Sequence, residues 1–221
     1  VRYIKYSIGT AVLYAPFFGM AHFYAGITDF PQDGFSKPYL FALSMSSLVF
    51  LVLALYFMRK SLLVFFGETA VGLTLAIIFL GTNVWNYYTF DACYSHGYSL
   101  AIISAFIYGS IKWLNNPKYK YALWVGLSFG LMVLIRPIDV LYVLLIPLLF
   151  VSSISGFKER IRFFVQQKWQ VLIIITTVVL CLTPQFLYFK FISGHWIFYT
   201  YSNESFFFSN PRWLESMFIF R

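Results

Sequence analysis

Long apolar stretches separated by short polar and basic segments form the main pattern of this chain. A membrane-spanning helix needs about 20 mostly apolar residues. The clearest candidates for such spans are Tyr39–Met58, Thr69–Tyr87, Gly97–Trp113 and Val171–Phe189. The pattern therefore predicts an all-α, polytopic bundle of transmembrane helices.

Two further apolar stretches predict less regular elements. Tyr121–Ser153 is too long for one ordinary span, and Arg136-Pro137-Ile138-Asp139 interrupts it. We expect two short helices that meet at a polar turn marked by the proline. Ser7–Tyr24 contains Pro16 and polar residues that weaken it as a span, so we favour an interfacial or re-entrant helix there.

Composition supports a membrane protein. Hydrophobic residues make up 60% of the chain and charged residues 11%, whereas soluble domains average roughly 45–50% and 25%. The net charge of +8 does not predict nucleic-acid binding, because the basic residues fall in short segments beside apolar stretches. Such segments set membrane orientation and contact anionic lipids.

Three basic clusters predict the orientation of the chain. They are Arg59 with Lys60, then Lys112, Lys118 and Lys120, and finally Lys158, Arg160, Arg162 and Lys168. If all three face the cytoplasm, the positive-inside rule is satisfied. Asp91–His96, Arg136–Asp139 and the segment from Lys190 onward then face the opposite side. Ile154–Trp169 is predicted to be a basic amphipathic helix on the cytoplasmic surface.

We expect residues 1–221 to form a single transmembrane domain with an external tail over residues 190–221. The chain begins at Val1 instead of Met and ends at Arg221 after a hydrophobic run, so we expect a fragment of a larger membrane domain.

Asp91 and His96 are the first candidates for chemistry. They lie five residues apart after an apolar stretch, and ionisable groups at a membrane edge are often functional. Asp91 can act as a base, orient a sugar hydroxyl or bind a divalent cation, and His96 can pair with Asp91 or donate to a phosphate. The alternative is a polar helix cap at the lipid interface. The cofactor stays open, since one acid and one histidine are a weak metal signal.

Arg136 and Asp139 allow two interpretations. They can form a structural ion pair that stabilises a broken helix. Alternatively, Arg136 can bind an anionic substrate group, because a guanidinium matches the geometry of phosphate.

Other candidates lie near the two ends of the chain. Lys5 precedes an apolar stretch and is either a lysine anchored at the interface or a contact to a lipid phosphate. The segment Ser193–Pro211 is aromatic and contains His195, Tyr199 and Glu204. It can bind a sugar or lipid headgroup, or it can form an ordinary aromatic belt. Cys93 and Cys181 lack the spacing of a metal or disulfide motif.

Four segments together resemble the bacterial polytopic glycosyltransferases of the GT-C superfamily, relatives of the protein O-mannosyltransferases and lipid A aminoarabinose transferases. The first is Lys5-Tyr6-Ser7-Ile8-Gly9 with Ala15-Pro16-Phe17-Phe18. The others are Gly81–Asp91 with Ser95-His96-Gly97-Tyr98-Ser99, Gly126–Pro137 with its Arg-Pro, and Thr183-Pro184-Gln185 followed by Gly194-His195-Trp196 and Tyr199–Pro211. The order of all four carries the resemblance more than any single motif.

The resemblance implies transfer of a sugar from a polyprenyl-phosphate donor to an acceptor at the outer face of a bacterial inner membrane. It implies that Lys5 lies near the lipid phosphate, although Ser7 stands where the family often has proline. Asp91 matches the family's second-loop acid by position only. The family's principal acid would precede Val1. Membrane lipids and a lipid-linked donor are the expected partners, without nucleic acid.

Two rival functions remain. A transporter or flippase for a lipid-linked or anionic substrate would place Arg136 and Asp139 near the middle of the membrane, where broken helices bind substrates. A non-catalytic membrane subunit would keep the fold without the main acid.

Overall fold

A computed structural model describes residues 6–92, 94–198 and 200 of the chain. Every regular element in these residues is a helix, which confirms the all-α prediction. The chain divides into two compact units, Ser7–Gln185 and a smaller one made of Val1–Tyr6 and Phe186–Arg221.

The larger unit contains eight α-helices and most of a ninth, counted over the described residues. They are α1 (Gly9–Gly26), α2 (Lys37–Leu62), α3 (Glu68–Gly81), α4 (Val84–Thr89), α5 (Ser95–Asn115), α6 (Tyr119–Ile135), α7 (Leu145–Leu148), α8 (Ile154–Gln166) and α9 (Lys168–Ser193). A 3-10 helix, Pro137–Leu144, joins α6 to α7.

Among the described helices, α2 and α9 are long and apolar enough to cross a membrane. In a soluble protein such helices would lie mostly inside the core. Here only 22% of the most apolar window of α2 and 6% of that of α9 is buried. Their exposed apolar surface therefore indicates a membrane protein.

Several polar residues are buried inside the helical unit beside its apolar core, while many large apolar residues are exposed. The two buried residues of α9 are Gln170 and Gln185, although the helix is otherwise apolar. Serines are buried on α2, α5 and α6, at Ser46, Ser47, Ser61, Ser99, Ser104, Ser110 and Ser128. Small and hydrogen-bonding residues at helix contacts are typical of proteins whose surroundings are as apolar as their side chains.

Close approach of α6 to α9 depends on two glycines four residues apart. A Cβ added to Gly126 would lie 2.9 Å from the Ile174 carbonyl oxygen, and one added to Gly130 would lie 2.6 Å from the Cβ of Cys181. This Gly-x-x-x-Gly spacing aligns two small residues on one helix face, which lets two backbones pack closely.

Polar contacts define two ends of the larger unit. Tyr39 at the start of α2, His96 at the start of α5 and Ile135 at the end of α6 mark what we term the site end. The opposite end, which we term the basic end, carries Lys60 and Lys112, which line one cleft.

The third basic cluster also belongs to the basic end. Gln170 on α9 accepts a hydrogen bond from the Trp113 indole at 2.7 Å and donates one to the Pro117 carbonyl at 3.2 Å. Phe163 and Phe164 of α8 pack on the same indole. The contacts therefore bring the three basic clusters to one end of the larger unit, and the side of a membrane that this end faces stays a prediction.

Helix α1 packs on α2 and α6. Gly9 at its start is in tight contact with the backbone of Ile135, and the Phe18 ring, midway along the helix, packs on Tyr39 with centroids 5.0 Å apart. These contacts leave the interfacial or re-entrant helix at Ser7–Tyr24 a prediction.

The predicted span Thr69–Tyr87 is wrong as one continuous helix. α3 ends at Gly81 and α4 begins only at Val84. Thr82 is extended, and its hydroxyl donates to the Ile78 carbonyl while also accepting the Val84 N–H. Local side-chain hydrogen bonds of this kind compete with the helical ladder, which explains the break.

The predicted break in Tyr121–Ser153 is confirmed, although the element after it differs. α6 ends at Ile135, but the second part is a 3-10 helix followed by the single turn of α7. The amphipathic prediction at Ile154–Trp169 corresponds to α8, which has no buried residue. Ser153 caps α8 by accepting the Gly156 N–H.

The smaller unit, as far as it is described, contains the last turns of α9 and a short extended segment. Lys190 closes the helix end by donating to the Gly194 carbonyl at 2.7 Å, and its ammonium lies over the Trp196 ring. Gly194 has a φ of 77°, a left-handed conformation that favours glycine at this position.

We expect the Gly130→Ala substitution to lower the free energy of unfolding by about 1–3 kcal/mol, because the added methyl overlaps Cys181. Denaturation of the purified protein in detergent measures this change.

Gly72 of α3 is the matched control, since nothing lies within 4 Å of a Cβ added there. Gly72→Ala should leave stability unchanged or raise it by up to ~1 kcal/mol. Equal losses in both variants would contradict the tight α6–α9 contact.

Candidate functional site

The end of α6 places Arg136 at the site end. Proline disfavours helical backbone in the residue before it, and Arg136 is extended, with φ −141° and ψ 109°. The Ser7 hydroxyl donates to the freed Ile135 carbonyl at 3.1 Å. The neighbouring Ile8 N–H donates to the Gln185 side chain at 3.0 Å. The start of α1 and the polar face of α9 thus fix this turn.

Arg136 and His96 form the central contact of the site. The guanidinium lies 3.1 Å from Nδ1 of His96, and the Tyr87 ring stacks on the imidazole with centroids 4.6 Å apart. A guanidinium can only donate, so Nδ1 accepts and the proton of the neutral ring lies on Nε2. His96 therefore offers Nε2–H as a hydrogen-bond donor.

The surroundings keep His96 neutral near physiological pH. Partial burial lowers its pKa below the ordinary value, and the positive charge of Arg136 lowers the pKa further. The Asp139 carboxylate opposes both with a smaller effect. A neutral imidazole beside a permanent cation is suited to anion binding, since it adds a donor without a second charge to desolvate.

Arg136 and Asp139 do not form the predicted structural ion pair. Among the described residues, no carboxylate lies within 4.0 Å of the Arg136 guanidinium. The Asp139 carboxylate is buried and accepts a hydrogen bond from Ser99 at 2.5 Å. The turn of the 3-10 helix directs the two side chains to different partners on α5.

Asp91 and His96 likewise do not pair with each other among the described residues. Asp91 accepts a hydrogen bond from Asn86 at 2.6 Å, while its backbone N–H donates to the Asn86 carbonyl at 3.1 Å. Asp91 lies in the turn between α4 and α5, whereas His96 already belongs to α5 and faces α6. The half-buried carboxylate retains one oxygen that no described side chain contacts.

Three of the remaining predicted residues lie outside the described residues, and the fourth belongs to the smaller unit. Lys5, Tyr199 and Glu204 lie outside the described residues. His195 is exposed in the smaller unit, where its backbone N–H donates to the Ser193 hydroxyl at 3.2 Å.

Sequence reasoning missed three side chains that complete the group. Asn86 binds Asp91, Tyr87 covers His96 and Ser99 binds Asp139. Ser99 follows His96 by three residues, which on a helix places both on one face, so that spacing was an available signal. The sequence offers no comparable signal for Asn86 and Tyr87, because their helix α4 was hidden in a predicted continuous span.

Within the described residues, no group of three histidine, cysteine, aspartate or glutamate side chains could hold a metal ion. Comparison with protein-family models, curated proteins and solved structures gives no match to this chain. Its function therefore has to be argued from the site itself.

We expect the Arg136→Gln substitution to raise the pKa of His96, because it removes the positive charge that opposes protonation. An NMR titration of labelled histidine measures this pKa, with His96→Gln identifying the signal.

Arg59→Gln is the control, since Arg59 pairs with Glu68 at 3.0 Å beside the basic end of α2. It should leave the His96 pKa unchanged.

The lowered pKa of His96 also affects stability. By linkage, the folded state loses stability as the pH falls below about 6.5, and this loss should be smaller in Arg136→Gln than in the normal chain. An unchanged titration in Arg136→Gln would refute the contact.

Proposed function

We propose that the chain is a multi-pass membrane glycosyltransferase, or part of one, that transfers a sugar from a polyprenyl-phosphate donor to an acceptor hydroxyl. The contact between Arg136 and neutral His96 at the site end carries this proposal. It supplies a cation that has no carboxylate partner among the described residues, together with an N–H donor, beside an exposed apolar surface. A lipid phosphate combines the anionic group and the apolar chain that suit these surroundings.

The proposed step assigns separate roles to the two parts of the site. The bond between the sugar carbon and the phosphate oxygen breaks, and negative charge develops on the leaving phosphate. Arg136 and the Nε2–H of His96 stabilise this charge, as preorganised donors do in other transfer reactions. The acceptor hydroxyl bonds to the sugar carbon and gives its proton to a carboxylate base.

Among the described residues, Asp91 is the candidate for the base that takes this proton, or for an acid that supports the base. Its hydrogen bond from Asn86 holds the carboxylate in place. The site end would face the periplasm of a bacterial inner membrane if the three basic clusters face the cytoplasm.

The position of the charged groups supports a transferase over a transporter. Arg136 follows the last residue of α6, and its partner His96 is the second residue of α5. Since α5 runs unbroken from His96 to the basic end, the group lies at one end of the unit, whereas a transporter would need it near the middle of the membrane. A non-catalytic subunit with this fold would bind a lipid phosphate without consuming a sugar donor.

We expect Asp91→Asn to lower the rate of sugar transfer by about 10²-fold or more without unfolding the protein, because it removes the carboxylate that takes the proton. A panel of radiolabelled polyprenyl-phosphate hexoses, incubated with membranes that contain the full chain, measures transfer and release of polyprenyl phosphate.

Asp29→Asn is the matched control, since Asp29 is an exposed acid in the loop between α1 and α2. It should transfer sugar normally. Equal activity of Asp91→Asn and Asp29→Asn would exclude Asp91 from the reaction.

We expect Arg136→Gln to lower kcat/KM for the lipid donor by about 10²–10³-fold, because the leaving phosphate loses its cationic partner. Arg136→Lys should recover only part of the activity, since an ammonium lacks the planar fork of a guanidinium. Unfolding midpoints measured in parallel separate this effect from instability. Full activity of Arg136→Gln would overturn the proposed role.

A further inference from the structure

A second polar group lies at the basic end, where α2, α5 and α6 enclose a cleft with two adjoining parts. The first part, about 330 Å³, is lined mainly by aromatic side chains. The second part, about 290 Å³, is lined by Lys60, Lys112, Asn115 and Asn116 among others. Tyr108, Tyr121 and Lys112 line both parts, so the aromatic and cationic halves form one amphipathic cleft.

The aromatic half is held in place by its own packing. Trp124 meets Phe57 edge to face with centroids 5.4 Å apart, and its indole N–H donates to the Ala105 carbonyl at 3.0 Å. Gly109 leaves space for the ring, because a Cβ there would lie 2.7 Å from it. This wall is therefore formed before any ligand binds.

The cationic half has two ammonium groups that form no ion pair with an acid in the described part of the chain. Lys60 lies over the Tyr56 ring at 5.7 Å and Lys112 over the Tyr108 ring at 5.4 Å. The one ion pair among the described residues joins Arg59 to Glu68 instead. Two cations on aromatic faces, beside the side-chain amides of Asn115 and Asn116, match an anion with several oxygen atoms.

We propose that this cleft binds an anionic phospholipid, with the headgroup phosphate between Lys60 and Lys112 and the start of an acyl chain against the Trp124 wall. A free phosphate would leave the aromatic half unused. A lipid fills both halves and continues onto the exposed apolar side chains of α2. Basic pockets between membrane helices are suited to such headgroups.

This site is separate from the proposed transferase site. Lys112 follows His96 by sixteen residues on α5, which corresponds to roughly 24 Å along the helix. The inference rests on insertion of the chain in a membrane and does not depend on sugar transfer.

The test measures binding of dioleoylphosphatidylglycerol to the full chain in detergent by native mass spectrometry. Each lysine near an anionic lipid raises the binding affinity roughly fivefold. The double substitution Lys60→Gln with Lys112→Gln should therefore weaken binding of the lipid about 30-fold. The charge-matched control is Lys37→Gln with Lys190→Gln, on exposed positions outside the three basic clusters, which should bind normally. Phosphatidylcholine should bind weakly to all three proteins.

A second measurement locates the lipid without a lysine substitution. Phosphatidylglycerol with brominated acyl chains should quench the fluorescence of the normal chain more than that of Trp124→Phe. Equal weakening in both charge variants, or equal quenching with and without Trp124, would overturn the proposal. Competition by inorganic phosphate at the lipid's own concentration would assign the cleft to a free anion and overturn the lipid assignment.

Discussion

The termination of α6 at Ile135 is the constraint on which the rest of the site depends. Pro137 cannot donate a backbone hydrogen bond and forces Arg136 out of helical geometry. A helix end that is not exposed to water needs partners for its free carbonyl groups. Ser7 supplies one of them, and the adjacent Gln185 ties the first turn of α1 to α9. One proline therefore positions three helices and one guanidinium together.

The surroundings of the molecule explain why polar side chains are buried beside the apolar core while many large apolar side chains are exposed. In water, the exposed leucines, phenylalanines and isoleucines of α2 and α9 would be costly, and the buried serines and glutamines would bring little gain. In a lipid phase, burying apolar side chains brings no comparable advantage, so packing and hydrogen bonds decide which faces meet. Gln170 and Gln185 lie fifteen residues apart, on the same face as the contacts to Gly126 and Gly130. The two glycines hold α9 against α6, while Gln170 binds Trp113 and Pro117 and Gln185 binds the Ile8 N–H.

Much of the fold followed from the sequence because length and apolarity determine where helices can form. The helices at Tyr39–Met58, Gly97–Trp113 and Val171–Phe189 extend only a few residues beyond their predicted limits. The break after Ile135 was predictable from proline and charge. The break at Thr82 was not, because it depends on hydroxyl hydrogen bonds that an average of hydrophobicity does not detect.

The site was less predictable than the fold. His96 and Arg136 were each recognised as candidates, but their contact depends on the packing of α5 against α6, which spacing along the chain does not encode. Proximity in sequence favoured the pairs Asp91–His96 and Arg136–Asp139, and neither forms among the described residues. In both cases a change of secondary structure between the partners turned their side chains apart.

In the proposed multi-pass arrangement α5 also crosses the membrane, and its length would then set a scale for that membrane. Its apolar part is bounded by His96 and Lys112, whose polar groups prefer the two interfaces, and the roughly 24 Å between them is shorter than a typical hydrocarbon core of about 30 Å. A bilayer can adjust to such a short helix by thinning around it. Thinning would bring the headgroups of the two leaflets closer together beside α5 than elsewhere. The helix would then act as a local gauge of bilayer thickness as well as a support for charged groups.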